Sequence, residues 1–305
     1  MKKNQTYLLT NLEEKLTRKN DTYLVCTLSD QSGSIYAKVW NMSLEKTPLK
    51  TGTVYDCRLN ESEYQGEKSY ELESFSKSKE PVSHFVPAIE EDPESLYEEL
   101  MEVAKELRPS LRDLVVKLYE DHKQALLTRP AAKTVHHNLM GGLLFHTYCM
   151  LKSAPGFMEV YPDLDYDLVF AGIMLHDIGK VEELMMDEKG QIGYTPIGTL
   201  HGHMPIGYYL VRKTGEQLGT DPEDLMLLCH IILSHQGLRE YESCALPSVP
   251  EAYLIHALDM VDSRLFQFKA IQEDLKEGMH TEKAYPTLGG CRVYKRKEEI
   301  NEQED

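Results

Sequence analysis

The chain has 305 residues, 41% apolar and 27% charged, long enough for two packed cores. Its apolar runs fall short of the ~18 residues a membrane helix needs, and its six cysteines are scattered without a Cys-x-x-Cys pair, so neither a membrane-spanning chain nor a disulfide-framed secreted one fits. The net charge of −17 lies wholly in residues 81–305, since residues 1–80 carry 12 basic and 12 acidic side chains; such a body repels a polyanion at long range and argues against a tight duplex-DNA binder.

The N-terminus (Met1-Lys-Lys-Asn-Gln-Thr6) enters patterned sequence with no apolar signal core, so a cytoplasmic protein is expected. Residues 5–80 read as about five short strands. Asp21–Leu28 and Ile35–Trp40 flank a turn cluster at Ser29–Ser34, and further strands are predicted near Thr53–Leu59 and Ser69–Phe75, separated by a turn containing Gly66. This density suits a small barrel of the oligonucleotide-binding (OB) type. Alternation along the second strand puts Tyr36, Lys38 and Trp40 on one face. Aromatic plates beside a cation are what single-stranded nucleic acid needs; covering the barrel's end would use the same aromatics.

Pro81, Pro87 and an acidic cluster mark residues 81–94 as a linker. From Ser95 the pattern is helical: Leu96–Leu107, Leu111–Leu127, then helices near 139–153, 165–176, 203–218, 222–235 and 250–275. Met186–Gly198 reads as a loop or small hairpin, and residues 291–305 as a charged, frayed tail. The fold class is therefore a multidomain α and β chain, with an N-terminal OB-type barrel at 1–80 followed by an all-α domain at 95–290.

The chemistry is concentrated in the helical part. An apolar helix delivers His176-Asp177, followed by Gly179 and Lys180. An imidazole and a carboxylate at the end of such a run are costly unless a cation compensates them, and both are common ligands of divalent metals. His146 precedes the pair by 30 residues; His203, His230 and His235 follow; His256, Asp259 and Asp262 share one helix face. Taken singly, each histidine has an ordinary reading as a surface or satisfied core residue. Together they resemble a nitrogen and oxygen cage for one or two cations.

His146, His176-Asp177 and Asp259 resemble the H…HD…D pattern of the HD-domain metal-dependent phosphohydrolase superfamily. The longer strings, His136-His137-x3-Gly141-Gly142-Leu-Leu-x-His146-Thr147, Leu175-His-Asp-Ile-Gly-Lys-x-Glu-Glu183, Gly202-His203, Ser234-His235-x-Gly237 and Leu258-Asp259-x-x-Asp262, are similar to those of YhaM-type 3′-to-5′ exoribonucleases, which also carry an N-terminal OB-type domain. The resemblance implies that His146, His176, Asp177 and Asp259 hold one metal, that His203 and His235, with His230, hold a second, and that Asp177 bridges them. It also implies single-stranded RNA as substrate, with single-stranded DNA as an alternative, and release of nucleoside 5′-monophosphates. Gln236 departs from the pattern, since relatives often read Ser-His-His-Gly; Asp262 is assigned a supporting role.

Imidazole-rich donors favour transition metals, so Mn²⁺ is expected ahead of Mg²⁺, Fe²⁺ or Co²⁺. Asp177, Lys180 and His137 are the candidate catalytic residues. Lys180 would meet phosphate charge, unless it is an ordinary solvated lysine; His137 would contact phosphate or protonate the leaving oxygen, with packing as its alternative. Two other functions suit parts of the same sequence: an HD phosphohydrolase of small nucleotides or cyclic dinucleotides, and a non-catalytic nucleic-acid-binding regulator. No membrane partner is expected, and homo-oligomerisation is left open.

Overall fold

A computed structural model describes residues 2–17, 19–30, 33–64, 67–85, 88–132, 139–186, 192–273 and 275–297. Five strands open the chain: β1 (Lys2–Leu16), β2 (Thr22–Asp30), β3 (Gly33–Trp40), β4 (Thr53–Tyr64) and β5 (Glu67–Lys77). They close into a barrel in the order β1-β2-β3-β5-β4. Closure rests on the length of β1. Its first half, Lys2 to Leu9, pairs with β4; its second half, Leu8 to Leu16, pairs with β2; a register shift between Leu9 and Asn11 bends it from one partner to the other. Inward residues such as Leu9, Leu24, Cys26, Ala37 and Leu59 fill the interior, and the alternate positions face out. The predicted turn at Gly66 lies outside the described residues.

The stretch expected as a linker is packed. Phe85 joins Leu8 and Val54 of the barrel in a small apolar cluster, with Val82 and Met140 against it. Helices then follow: α1 (Pro93–Glu106), α2 (Pro109–Asp121), α3 (Lys123–Thr128), α4 (Gly142–Val160), α5 (Tyr166–Leu175), α6 (Lys180–Glu183), a hairpin of β6 (Leu184–Met186) and β7 (Ile192–Tyr194), α7 (Pro196–His201), α8 (His203–Leu218), α9 (Pro222–Ser234) and α10 (Pro250–Glu273). Asp92, Asp165 and Asp221 cap α1, α5 and α9 with their carboxylates.

Two expectations are corrected. The single helix expected over Leu111–Leu127 breaks at His122, where the backbone leaves helical geometry and α3 starts anew. The tail is docked through residue 297: Thr281 N–H donates to Val293 O, Lys295 N–H to Met279 O, and Val293 is buried.

α5 is the central helix, buried at Leu168, Val169 and from Ala171 to Leu175, and packed against α2, α4, α9 and α10. Arg108, between α1 and α2, holds the helix starts around it: its guanidinium donates to both oxygens of Asp224 (2.6 and 3.2 Å) and to Asp165 (2.7 Å). Among the described residues no helix is long and apolar enough to cross a membrane.

Candidate metal centre

α5 ends at His176, whose N–H donates to Gly172 O. Asp177, Ile178 and Gly179 then turn the chain into α6, so His176 and Asp177 stand in the protein interior, 0% and 3% exposed. The turn is tight because α8 lies directly on it. A Cβ at Gly179 would fall 2.0 Å from His203 O and 2.6 Å from Gly207 N. Glycine here brings His203 to the pair. Gly179→Ala is expected to force α8 away, lowering stability by about 1–3 kcal/mol and cutting metal stoichiometry from two ions to one; thermal melting and elemental analysis check both.

Among the described residues six donors gather in two groups, His146–His176–Asp259 and Asp177–His203–His235, with the ligand atoms of each group within 4.8 Å of one another. In the first, His146 Nε2 is 3.3 Å from His176 Nε2 and 3.4 Å from Asp259 Oδ1. In the second, Asp177 Oδ1 is 3.5 Å from Nε2 of both His203 and His235, which are 3.3 Å apart. The other oxygen of Asp177, Oδ2, lies 3.4 Å from His176 Nε2 and 2.5 Å from Lys180 Nζ. The groups therefore abut through one carboxylate.

Each ring is set by what its Nδ1 does. His176 donates to Ile173 O (2.7 Å), His235 to Ile232 O (2.8 Å), His146 to Asp262 Oδ2 (2.6 Å) and His203 to Glu183 Oε1 (3.3 Å). With Nδ1 carrying the proton, Nε2 turns a lone pair inward. At the second group, two such lone pairs face Asp177 Oδ1, which is buried and has no hydrogen-bond partner among the described residues. The Gln236 amide reaches His235 Nε2 only at 3.5 Å. Three acceptors converging on one point, with only that long amide contact to offset them, repel one another unless a cation sits between them. The donor set of imidazoles and carboxylates fits a divalent metal.

The charges agree. Burial alone would raise the Asp177 carboxyl, but Lys180, His176 and His203 hold it well below the usual range. Burial opposes the charge on Lys180 too, and Asp177 outweighs it, so the ammonium persists. Burial pushes His235 down to about 3, leaving it neutral. His146 goes the other way: burial lowers it, but Asp259 and Asp262 raise it to about 9. Below that pH a proton occupies the place of the first cation. Loading of this group should therefore release a proton and tighten about tenfold per pH unit up to about 9; calorimetry in buffers of differing ionisation enthalpy reads the released proton.

Other expected residues are placed as follows. His230 is in neither group; its Nε2 accepts from Ser248 N–H (2.9 Å), which fixes the approach to α10, so it is removed from the ligand set. Lys180 is buried, 7% exposed, rather than solvated. His137 lies outside the described residues. His256 Nδ1 donates to His235 O, so the shared face of His256, Asp259 and Asp262 does turn toward the site. On β3, Tyr36 and Trp40 are exposed and Lys38 Nζ stands 5.7 Å from the Trp40 ring centre. Sequence reading missed Tyr23, whose ring is 4.9 Å from that of Trp40. It also missed Glu183, whose Oε1 accepts from the His203 backbone N–H (2.9 Å) as well as its ring, capping α8 and orienting the ligand together. Glu183 stood within a quoted motif, yet only the fold shows its partner.

The HD domain family matches residues 134–264. Relatives named 3′-5′ exoribonuclease YhaM align along nearly the whole chain. That of Halalkalibacterium halodurans is 31% identical over 91% of this chain and 88% of its own length. The Shouchella clausii protein is 32% identical over 91% and 88%, and that of Bacillus velezensis 29% identical over 92% and 91%. An HD match spanning both donor groups, with relatives that cover barrel and helices alike, shows that this chain belongs to the YhaM family of HD-domain proteins.

Proposed function

We propose that the protein is a metal-dependent 3′-5′ exoribonuclease that hydrolyses single-stranded RNA to nucleoside 5′-monophosphates. The observation that carries this reading is the buried, partnerless Asp177 Oδ1 facing two imidazole lone pairs, beside a second donor group on the other side of the same carboxylate. The names of the relatives supply the substrate class and polarity. His146, His176 and Asp259 would hold one ion, and His203, His235 and Asp177 the other, with Asp177 Oδ2 turned toward His176. Divalent cations bound there supply Lewis acidity and an activated water for in-line attack on phosphorus; Mn²⁺ is the proposed metal.

The chain's own groups do the rest. Lys180, kept cationic by Asp177, meets the charge that builds on the phosphoryl oxygens. Glu183 and Asp262 hold His203 and His146 in the donor tautomer. His137 is assigned the proton for the leaving 3′ oxygen on sequence grounds alone. Residues 1–80 form the strand-binding unit through Tyr36, Lys38 and Trp40, and 95–290 the hydrolytic unit.

The test is 5′-labelled RNA with Mn²⁺, run beside single-stranded DNA and a cyclic dinucleotide. A ladder shortening from the 3′ end, with mononucleotide product, is expected. Internal cuts, or turnover of the cyclic dinucleotide alone, would overturn the reading.

A further inference from the structure

The second donor group opens onto a cleft of about 390 Å³. Its lining changes character with depth. Lys180 and Glu183 are its buried polar side chains, with the half-buried His203 between them and Asp177. Tyr194, at the end of β7 and 49% exposed, and Glu242, in the turn after α9, are at the mouth. The Lys180 ammonium deep inside suits a phosphate, and the Glu183 carboxylate beside it is taken up by His203. An aromatic ring further out suits a base. The volume is at the small end of ligand sites, which fits one nucleotide rather than a run of them.

Glu242 adds a carboxylate to the lining. Its backbone is left-handed, φ +64° and ψ 21°, at a residue with a long side chain. That conformation closes the short helical turn Arg239–Tyr241, with the Glu242 N–H donating to Arg239 O, and it leaves the exposed carboxylate at the cleft mouth. An ionised carboxylate only accepts hydrogen bonds. It is therefore wrong for phosphate and right for hydroxyls. The last residue of an RNA strand is the one that carries two free neighbouring hydroxyls, 2′ and 3′, whereas DNA offers one.

We propose that this cleft is the subsite for the 3′-terminal nucleotide, with Tyr194 stacking on its base and Glu242 accepting from its ribose hydroxyls. This rests on the exoribonuclease reading and deepens it: the cleft would make the enzyme read the sugar of the residue it removes, favouring RNA over DNA at the last position.

Cys244 lines the same cleft and is exposed, whereas Cys26, Cys57 and Cys229 are buried, so it reports on occupancy. The full-length protein with Mn²⁺ is labelled with a maleimide, and modification is mapped by mass spectrometry. Adenosine 5′-monophosphate is expected to slow Cys244 labelling about fivefold or more while leaving Cys291 unchanged; 2′-deoxyadenosine 5′-monophosphate should protect clearly less. Tyr194→Phe should retain the protection and Tyr194→Ala lose it. Glu242→Gln should bring the two nucleotides together. If the protein trims RNA but neither nucleotide slows labelling of Cys244, or if Tyr194→Ala is protected like the parent, the cleft assignment is wrong while the exoribonuclease stands. Equal protection by both nucleotides in the parent removes the role of Glu242. Protection of Cys244 without any RNA trimming would instead keep the nucleotide site and overturn the exoribonuclease.

Discussion

Asp177→Asn is expected to lower RNA turnover on the order of 10³-fold, the scale of deleting a principal electrostatic element from an active site. The carboxylate has one oxygen against His203 and His235 and the other against Lys180 and His176, so losing its charge reaches both donor groups at once. The amide keeps the volume but offers neither the charge nor the second acceptor. Asp177→Ala should be as inactive and less stable, because it also leaves Lys180 buried without its nearest counter-ion; breaking a buried pair costs about 3–5 kcal/mol, a figure that Asp259 and Glu183 nearby would reduce. RNA binding, measured by fluorescence anisotropy, should survive in both variants, since the proposed strand-binding face lies on the barrel. An asparagine variant that kept its full metal content and ran within tenfold of the parent would remove the metal centre from the argument.

The second large effect belongs to that face. Replacing Tyr36 and Trp40 together by alanine should reduce kcat/KM on long RNA on the order of 10²-fold, from stacking of about 1–3 kcal/mol per base, and leave a dinucleotide substrate unaffected. Both rings are exposed, so the loss is one of contact rather than of folding; Trp40 leans on Tyr23 and carries Lys38 over it, giving a platform with a cation at its edge. A tethered grip raises the local concentration of strand at the metal centre without touching the reaction. Equal losses on the two substrates would mean that the barrel only supports the fold.

The sequence carried the main lines of this site because its donors come in local strings. His176-Asp177 at the end of an apolar helix, and Asp259 with Asp262 one turn apart, are legible from periodicity alone. The barrel was legible in the alternation of β2 and β3, yet not in β1, whose service to two neighbours depends on closure of the sheet. His230 looked like His235 on the same helix, and only the loop before α10 separates their roles, by offering Ser248 N–H to one ring. Glu183 and Tyr23 were invisible for the converse reason: each matters through a partner distant in sequence, His203 and Trp40. The break at His122 falls in the polar run Glu120–Gln124, which interrupts the apolar spacing but holds no proline or glycine to mark an end.

One carboxylate shared between two donor groups has an electrical consequence. An ion held by His203 and His235 would draw on negative charge that the neighbouring triplet also feels, so two ions would compete for a single anion and fill in sequence, not in parallel. The occupant arriving last would then be the more loosely held and the more easily exchanged, and the supply of divalent cations would act as a throttle on the whole reaction.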